Sequence, residues 1–291
     1  MNYSSIKKET GSVPSNDGLP IYYDLYSPVT TVTRSFPIIL FLHGFKGFKD
    51  WGAFPDACEY LARNGFGVLS FNLSRNGIGE NMTEFDEPEL FRKQTLSSDL
   101  DDVGCVISHL KNGNLKSEQV TLNPDKIGMI GHSRGGHTAV VAAAEFTSIQ
   151  CLVTWSAVAD YNKRWSDDMM SDWKSQGFTE IKNSRTGQSM KVDKVVFEDA
   201  TDNAERLMAI KRVKELHIPV LFIAGKEDEA VSHNESKKLF RECPSDEKEL
   251  KLIENAGHTF GTTHPFEDED FPEPFDELLE STETWFLEHL R

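Results

Sequence analysis

Cysteine is scarce in this chain, and its few copies are badly spaced for a cross-linked or metal-bound frame. Cys58, Cys105, Cys151 and Cys243 are scattered through 291 residues with no C-x-x-C pair. That argues against a disulfide scaffold and for a reducing, cytoplasmic setting. The histidines form no H-E-x-x-H or comparable ligand set, so neither a metal nor another cofactor is expected. No apolar run approaches membrane-spanning length, and the first residues lack the basic start and apolar stretch of a signal peptide, so no membrane partner is expected. Basic residues are also in deficit. Lys and Arg number 31 against 47 Asp and Glu, a net charge of −16, which disfavours nucleic acid as a partner. Internal repeats and low-complexity linkers are absent, and the composition offers no reading of oligomeric state.

What the chain does have is alternation. Short apolar runs at Pro37–Leu42, Gly67–Phe71, Ile127–Ile130, Cys151–Trp155, Ile218–Ala224 and Leu250–Ile253 read as strands. Between them lie amphipathic stretches: Trp51 to Arg63, stopped by Asn64-Gly65; Leu96 to Leu110, stopped by Asn112-Gly113; and Thr138 to Phe146. A C-terminal helix carries Phe275, Leu279, Phe286 and Leu290 on one stripe, with Trp285 beside it. Strand and helix in turn predict an α/β fold, a mostly parallel twisted sheet with helices on both faces. Ile21, Tyr23 and Leu25 alternate with Tyr22, Asp24 and Tyr26, which predicts an early edge strand with one exposed face. Asp99, Asp101 and Asp102 read as the wet face of their helix. Cys105 and Cys151 read as buried thiols, and Ser232-His233-Asn234-Glu235 as a helix-starting capping box.

Gly131-His132-Ser133-Arg134-Gly135 spells G-x-S-x-G between a strand and a small-residue helix. In that context a serine is held on a sharp turn with its hydroxyl exposed, and the flanking glycines let strand and helix backbones approach. A serine hydroxyl needs a base, the base needs an orienting acid, and the oxyanion needs donors. Asp228 follows the Ile218–Ala224 strand, flanked by Glu227 and Glu229, and is the candidate acid; Asp160 is a weaker one. His258, in a glycine-containing loop after Leu250–Ile253, is the candidate base, with His264 its rival. The loop opened by His43-Gly44-Phe45 follows another strand end, and the backbone N–H groups of Phe45 and Arg134 are assigned as oxyanion donors.

The chain resembles the α/β-hydrolases over nearly its whole length. His43-Gly44-Phe45, Gly131 to Gly136, Gly225-Lys226-Glu227-Asp228 and Gly257-His258-Thr259-Phe260 match that family's landmarks in order and spacing. The likeness is nearest to the dienelactone-hydrolase, feruloyl-esterase and serine-aminopeptidase-like branch. It implies a serine hydrolase with a Ser133–His258–Asp228 triad. Hydrolysis of a small-molecule carboxylic ester is the preferred reading because it asks least beyond that triad; peptide or amide hydrolysis is the alternative, and a non-catalytic ligand-binding relative is the rival from another class. A carboxylate for a peptide's amine would come from Glu80, Glu84 or Asp86. Asn72 stands where many relatives have Asp, in a loop expected to line the site's mouth.

The strand–helix alternation breaks between about Asp160 and Arg212. Residues 1–159 and 213–291 are read as the core and 160–212 as a cap inserted after the sixth strand, with a hairpin turn at Asn183–Gln188. Of its aromatic and sulfur side chains, Trp165, Met169 and Trp173 are expected at the substrate pocket, together with His43 and Gly44.

Overall fold

The computed structural model describes residues 3–183 and 186–290. Among the described residues ten strands form, named β1 (Ile6–Pro14), β2 (Pro20–Pro28), β3 (Ser35–Leu42), β4 (Gly67–Phe71), β5 (Thr121–His132), β6 (Ile149–Trp155), β7 (Phe178–Lys182), β8 (Ser189–Asp193), β9 (Val220–Gly225) and β10 (Lys248–Ile253). Eight make one sheet in the order β1-β2-β4-β3-β5-β6-β9-β10. From β4 to β10 all neighbours run parallel, whereas β2 is antiparallel to both β1 and β4. The helices are α1 (Phe54–Arg63), α2 (Pro88–Phe91), α3 (Leu96–Lys111), α4 (Arg134–Glu145), α5 (Asp167–Gln176), α6 (Lys194–Asp202), α7 (Ala204–Leu207), α8 (Ala209–Arg212), α9 (His233–Glu242) and α10 (Glu273–His289).

The two-residue period of the central strands divides the core into two layers. In β3, Ile38, Leu40 and Leu42 face the side covered by α3, α4 and α9. Ile39 and Phe41 face the side covered by α1 and α10. The apolar stripe of α10 closes the second layer with Phe275, Leu279, Phe286 and Leu290, all buried. Full burial of each such side chain contributes about 2 kcal/mol before entropy is counted. The parallel arrangement brings the carboxyl ends of β3, β5, β6, β9 and β10 to one rim, where loops from separate strands meet.

Four expectations fail here, three of them because long-range partners engage groups that local pattern leaves free. β2 is not an edge strand, because β1 pairs with it along its full length. Asp24 and Tyr26 are therefore buried, and Asp24 is ion-paired to Lys49 at 2.6 Å. Of the three acids on α3 only Asp101 is exposed. Asp102 accepts the Ser74 N–H at 2.7 Å, and Asp99 pairs with Arg134 at 2.7 Å. Cys105, by contrast, is only half-buried. At the start of α9, Ser232 accepts the Asn234 N–H, but the Glu235 carboxylate accepts the Ala159 N–H instead of closing a capping box. The reciprocal box forms at Thr95 and Ser98, which open α3.

The segment between β6 and β9 holds α5 to α8 and the antiparallel pair β7–β8. Of the turn joining these two strands, Ser184 and Arg185 lie outside the described residues. Trp173, Met190, Val192 and Val196 of this segment pack with Phe48, Ile78 and Phe85 from loops and with Phe91 of α2. Among the described residues, no helix is long and apolar enough to cross a membrane.

Candidate active site

β5 ends at His132 and α4 begins at Arg134, which leaves Ser133 alone to make the turn. Its backbone sits at φ 58°, ψ −115°, in a region costing a non-glycine residue about 1–3 kcal/mol. Neighbouring glycines permit the crowding. A Cβ on Gly131 would lie 2.3 Å from the Gly135 carbonyl oxygen, and one on Gly135 would lie 2.4 Å from those of Leu42 and His43. Although Ser133 stands at the N-cap position, its hydroxyl makes no capping bond, so it is not spent on the helix. The first N–H groups of α4 lack intrahelical acceptors, as at any helix start.

Asp228 follows β9 with its carboxylate fully buried. One oxygen accepts the N–H groups of Ala230 at 2.9 Å and Val231 at 2.8 Å; the other accepts His258 Nδ1–H at 2.8 Å. Burial pushes the carboxyl's pKa up, but the His258 and Val231 contacts outweigh it and hold it below the ordinary value. Glu227 and Glu229, on either side, are exposed. Asp160 accepts the Asn162 N–H and pairs with Lys163, away from His258. His264 Nδ1 accepts the Gly52 N–H at 2.8 Å, and its ring stacks on Trp51. Of the two histidines in this loop, His258 is therefore the one joined to Asp228.

His132 is a contributor that the sequence reading passed over. Its Nε2–H donates to the His258 carbonyl at 2.9 Å, and the two rings lie 4.7 Å apart. Burial, followed by the neighbouring His258, lowers the His132 pKa to about 3, so this ring is neutral and its tautomer is fixed by the bond it makes. The only available signal was its place inside the pentapeptide.

The loop after β3 packs directly on the serine: a Cβ on Gly44 would come within 2.9 Å of the Ser133 Cβ. His43 does not line the pocket as expected. It is buried behind that loop, with Nδ1–H donating to the Gly44 carbonyl at 2.9 Å and Nε2 facing Leu73 N–H and Asn76 Nδ2. Asn72 is also turned inward, where Oδ1 accepts the Lys49 N–H at 2.7 Å. It braces the loop and does not face the mouth. The Arg134 side chain is buried under the elbow. It donates to Asp99, to the Gln94 carbonyl at 3.0 Å and to the Tyr161 hydroxyl at 3.4 Å, and covers the Phe45 ring. Burial pulls the guanidinium's pKa down, but Asp99 more than restores it.

Ser133, His258, Phe45 and Arg134 all line one cavity of about 660 Å³. Gly44, Trp165 and Met169 line it as well. Trp173 does not; it is buried in the packing of the segment above, with its indole N–H on the Val192 carbonyl. Nor do Glu80, Glu84 and Asp86 reach the cavity.

The model of the BD-FAE family matches residues 89–243, more than half of the chain and including the whole serine elbow. The chain belongs to the BD-FAE family. The eight-stranded sheet is that of the α/β-hydrolase superfamily, and members of this esterase-like family are hydrolases. Among characterised relatives, the chain is similar to an acyl transferase from Photobacterium leiognathi, at 25% identity over 211 residues; this is 72% of the present chain but only 64% of that protein's length. Among solved structures, it resembles Est1E from Butyrivibrio proteoclasticus, at TM-score 0.69 and 20% identity over 96% of this chain and 98% of that one. It also resembles a dienelactone hydrolase from Anabaena variabilis, at TM-score 0.64 and 18% identity over 98% and 99% of the two chains. At such identities the structural likeness speaks for the fold alone.

Proposed function

We propose that the protein hydrolyses carboxylic esters through an acyl-enzyme on Ser133, with His258 as base and Asp228 as its orienting acid. The observation that carries this reading is the 2.8 Å bond from His258 Nδ1 to a fully buried Asp228 carboxylate, beside a cavity that Ser133 and His258 share. With Nδ1 committed to the carboxylate, Nε2 is the nitrogen that takes the Ser133 proton as the oxygen attacks the ester carbonyl. The backbone N–H groups of Phe45 and Arg134 receive the developing oxyanion. His258 then protonates the leaving alcohol, and water releases the acyl group by the same steps reversed.

Residues 160–212 act in this reading as a cap over the cavity, with Trp165 and Met169 supplying an apolar wall for the acyl or alcohol group. The structural relative Est1E has been seen with ferulic acid bound, which supports an aromatic acyl group among those this cavity takes. The peptide-hydrolase alternative is weaker, since none of Glu80, Glu84 and Asp86 lines the cavity to receive a substrate amine. A panel of chromogenic esters of graded acyl length, run beside aminoacyl amides, tests the reading. Esters are expected to turn over faster, and amides outpacing every ester would reject it.

A further inference from the structure

The charge lining the cavity runs against the charge of the chain. The sequence holds 47 acidic residues and 31 basic ones. Among the described residues, however, no Asp or Glu lines the cavity, whereas Lys46, Arg134 and Arg164 do. Arg134 is neutralised by Asp99 at 2.7 Å. Lys46 and Arg164 have no such partner: among the described residues each is bonded only to a backbone carbonyl. Lys46 Nζ donates to Lys182 O at 3.3 Å, and Arg164 Nη2 donates to Ala230 O at 2.8 Å. An ammonium has three N–H donors and a guanidinium five, so both cavity-lining cations, Lys46 half-buried and Arg164 exposed, keep unspent donors.

The two cations come from different walls. Lys46 follows Phe45 in the loop after β3. Arg164 stands in the segment after β6 and is tied to the loop that carries Asp228. Each carbonyl contact restrains a long side chain without cancelling its charge. Burial draws the Lys46 ammonium below its ordinary pKa, a penalty that a bound anion would reverse. A neutral ester gains little from these groups, while an anionic one gains a charge-assisted hydrogen bond from each.

We propose that the substrate carries a carboxylate besides the ester to be cleaved, and that Lys46 and Arg164 hold that carboxylate. The inference rests on the ester-hydrolase reading for its chemistry, but its binding component can be measured without turnover.

Two matched pairs of esters provide the test. 4-Nitrophenyl hydrogen glutarate against 4-nitrophenyl methyl glutarate places the charge on the acyl side. 4-Acetoxybenzoate against methyl 4-acetoxybenzoate places it on the alcohol side. In at least one pair the charged member should be favoured about ten-fold in kcat/KM at low salt, the preference residing in KM and shrinking as salt rises. Lys46→Gln and Arg164→Gln should each move the charged-to-neutral ratio toward one. Equal or better use of the neutral member in both pairs, or a ratio untouched by either substitution, would overturn the proposal.

Titration of the Ser133→Ala protein with the same compounds, followed through the fluorescence of Trp51 and Trp165 in the cavity wall, separates binding from chemistry. Tighter binding of the charged member without wild-type turnover would support the carboxylate site and reject the ester-hydrolase reading. Turnover with equal binding of both members would do the reverse.

Discussion

The guanidinium of Arg134 lies 5.6 Å from the centroid of the Phe45 ring. The two residues proposed to donate backbone N–H groups to the oxyanion are thus joined through their side chains. Phe45 stacks in turn on Phe91, and Arg134 is anchored to Asp99 and the Gln94 carbonyl. A loop after β3 and a helix after β5 are thereby held together at the cavity by side-chain contacts, none of which uses either backbone N–H.

Removing the cation should expose the cost of this arrangement. Arg134→Met leaves Asp99 buried without its partner, and a loss of about 3 kcal/mol in chemical denaturation is expected. Adding Asp99→Leu should recover most of that loss, because the stranded charge is gone. A double variant no more stable than the single one would contradict this view of the pair.

His132 should act through His258. His132→Phe keeps an aromatic ring beside the His258 ring but removes the N–H donated to its carbonyl at 2.9 Å. A stability loss of about 1 kcal/mol is expected, with kcat for a fast ester falling about ten-fold, the effect of a displaced base. A folded variant with undiminished kcat would show that the bond does not position the base.

Gly135 is held to its residue type by space. A methyl group there would sit 2.4 Å from the carbonyl oxygens of Leu42 and His43, both backbone atoms with little room to yield. Gly135→Ala should destabilise the protein by about 2 kcal/mol or more and depress ester turnover with it. An alanine variant with the stability of the parent would mean that the elbow is looser than described.

Asp102 gives stability a pH dependence of definite sign. Burial raises its carboxyl to about 7, against the partial relief of the Ser74 contacts. Between about pH 4 and 7 the folded state therefore keeps a proton that the unfolded chain has released, and this group's contribution to stability falls as pH rises. Asp102→Asn has no such titration. The variant's stability relative to the parent should climb by about 1.4 kcal/mol per pH unit across that window, then level off. A constant difference from pH 4.5 to 8, measured by denaturation, would contradict the assignment.

The legible parts of this protein were those fixed by local pattern. Strands β3, β4, β5, β6, β9 and β10 announce themselves as apolar runs, and the elbow, the Asp228 turn and the His258 loop each sit at a strand end. The sharp turn at Ser133 was recognisable because a glycine-flanked serine between strand and helix marks such an elbow. What escaped depended on distant partners. The edge strand β1 is a mostly exposed IKKETGSVP stretch with little apolar alternation, so only its pairing with β2 defines it. Asp99 looks like a solvated helix residue until the fold brings Arg134 to it from 35 positions away. Asn72 and His43 lie next to loops of the site, but their side chains turn into the scaffold, and no local spacing reports that choice. Trp173 and Trp165 are eight positions apart in one segment, and only the packing decides which of them meets the cavity.

Reaction with a fluorophosphonate, followed by mass spectrometry of the digested protein, tests the proposed relay most directly. A nucleophile activated by His258 should give one phosphonyl adduct, on the peptide bearing Ser133, absent in Ser133→Ala and greatly slowed in His258→Ala. Failure of the folded wild-type protein to label, or an adduct elsewhere with Ser133 unmodified, would contradict the account.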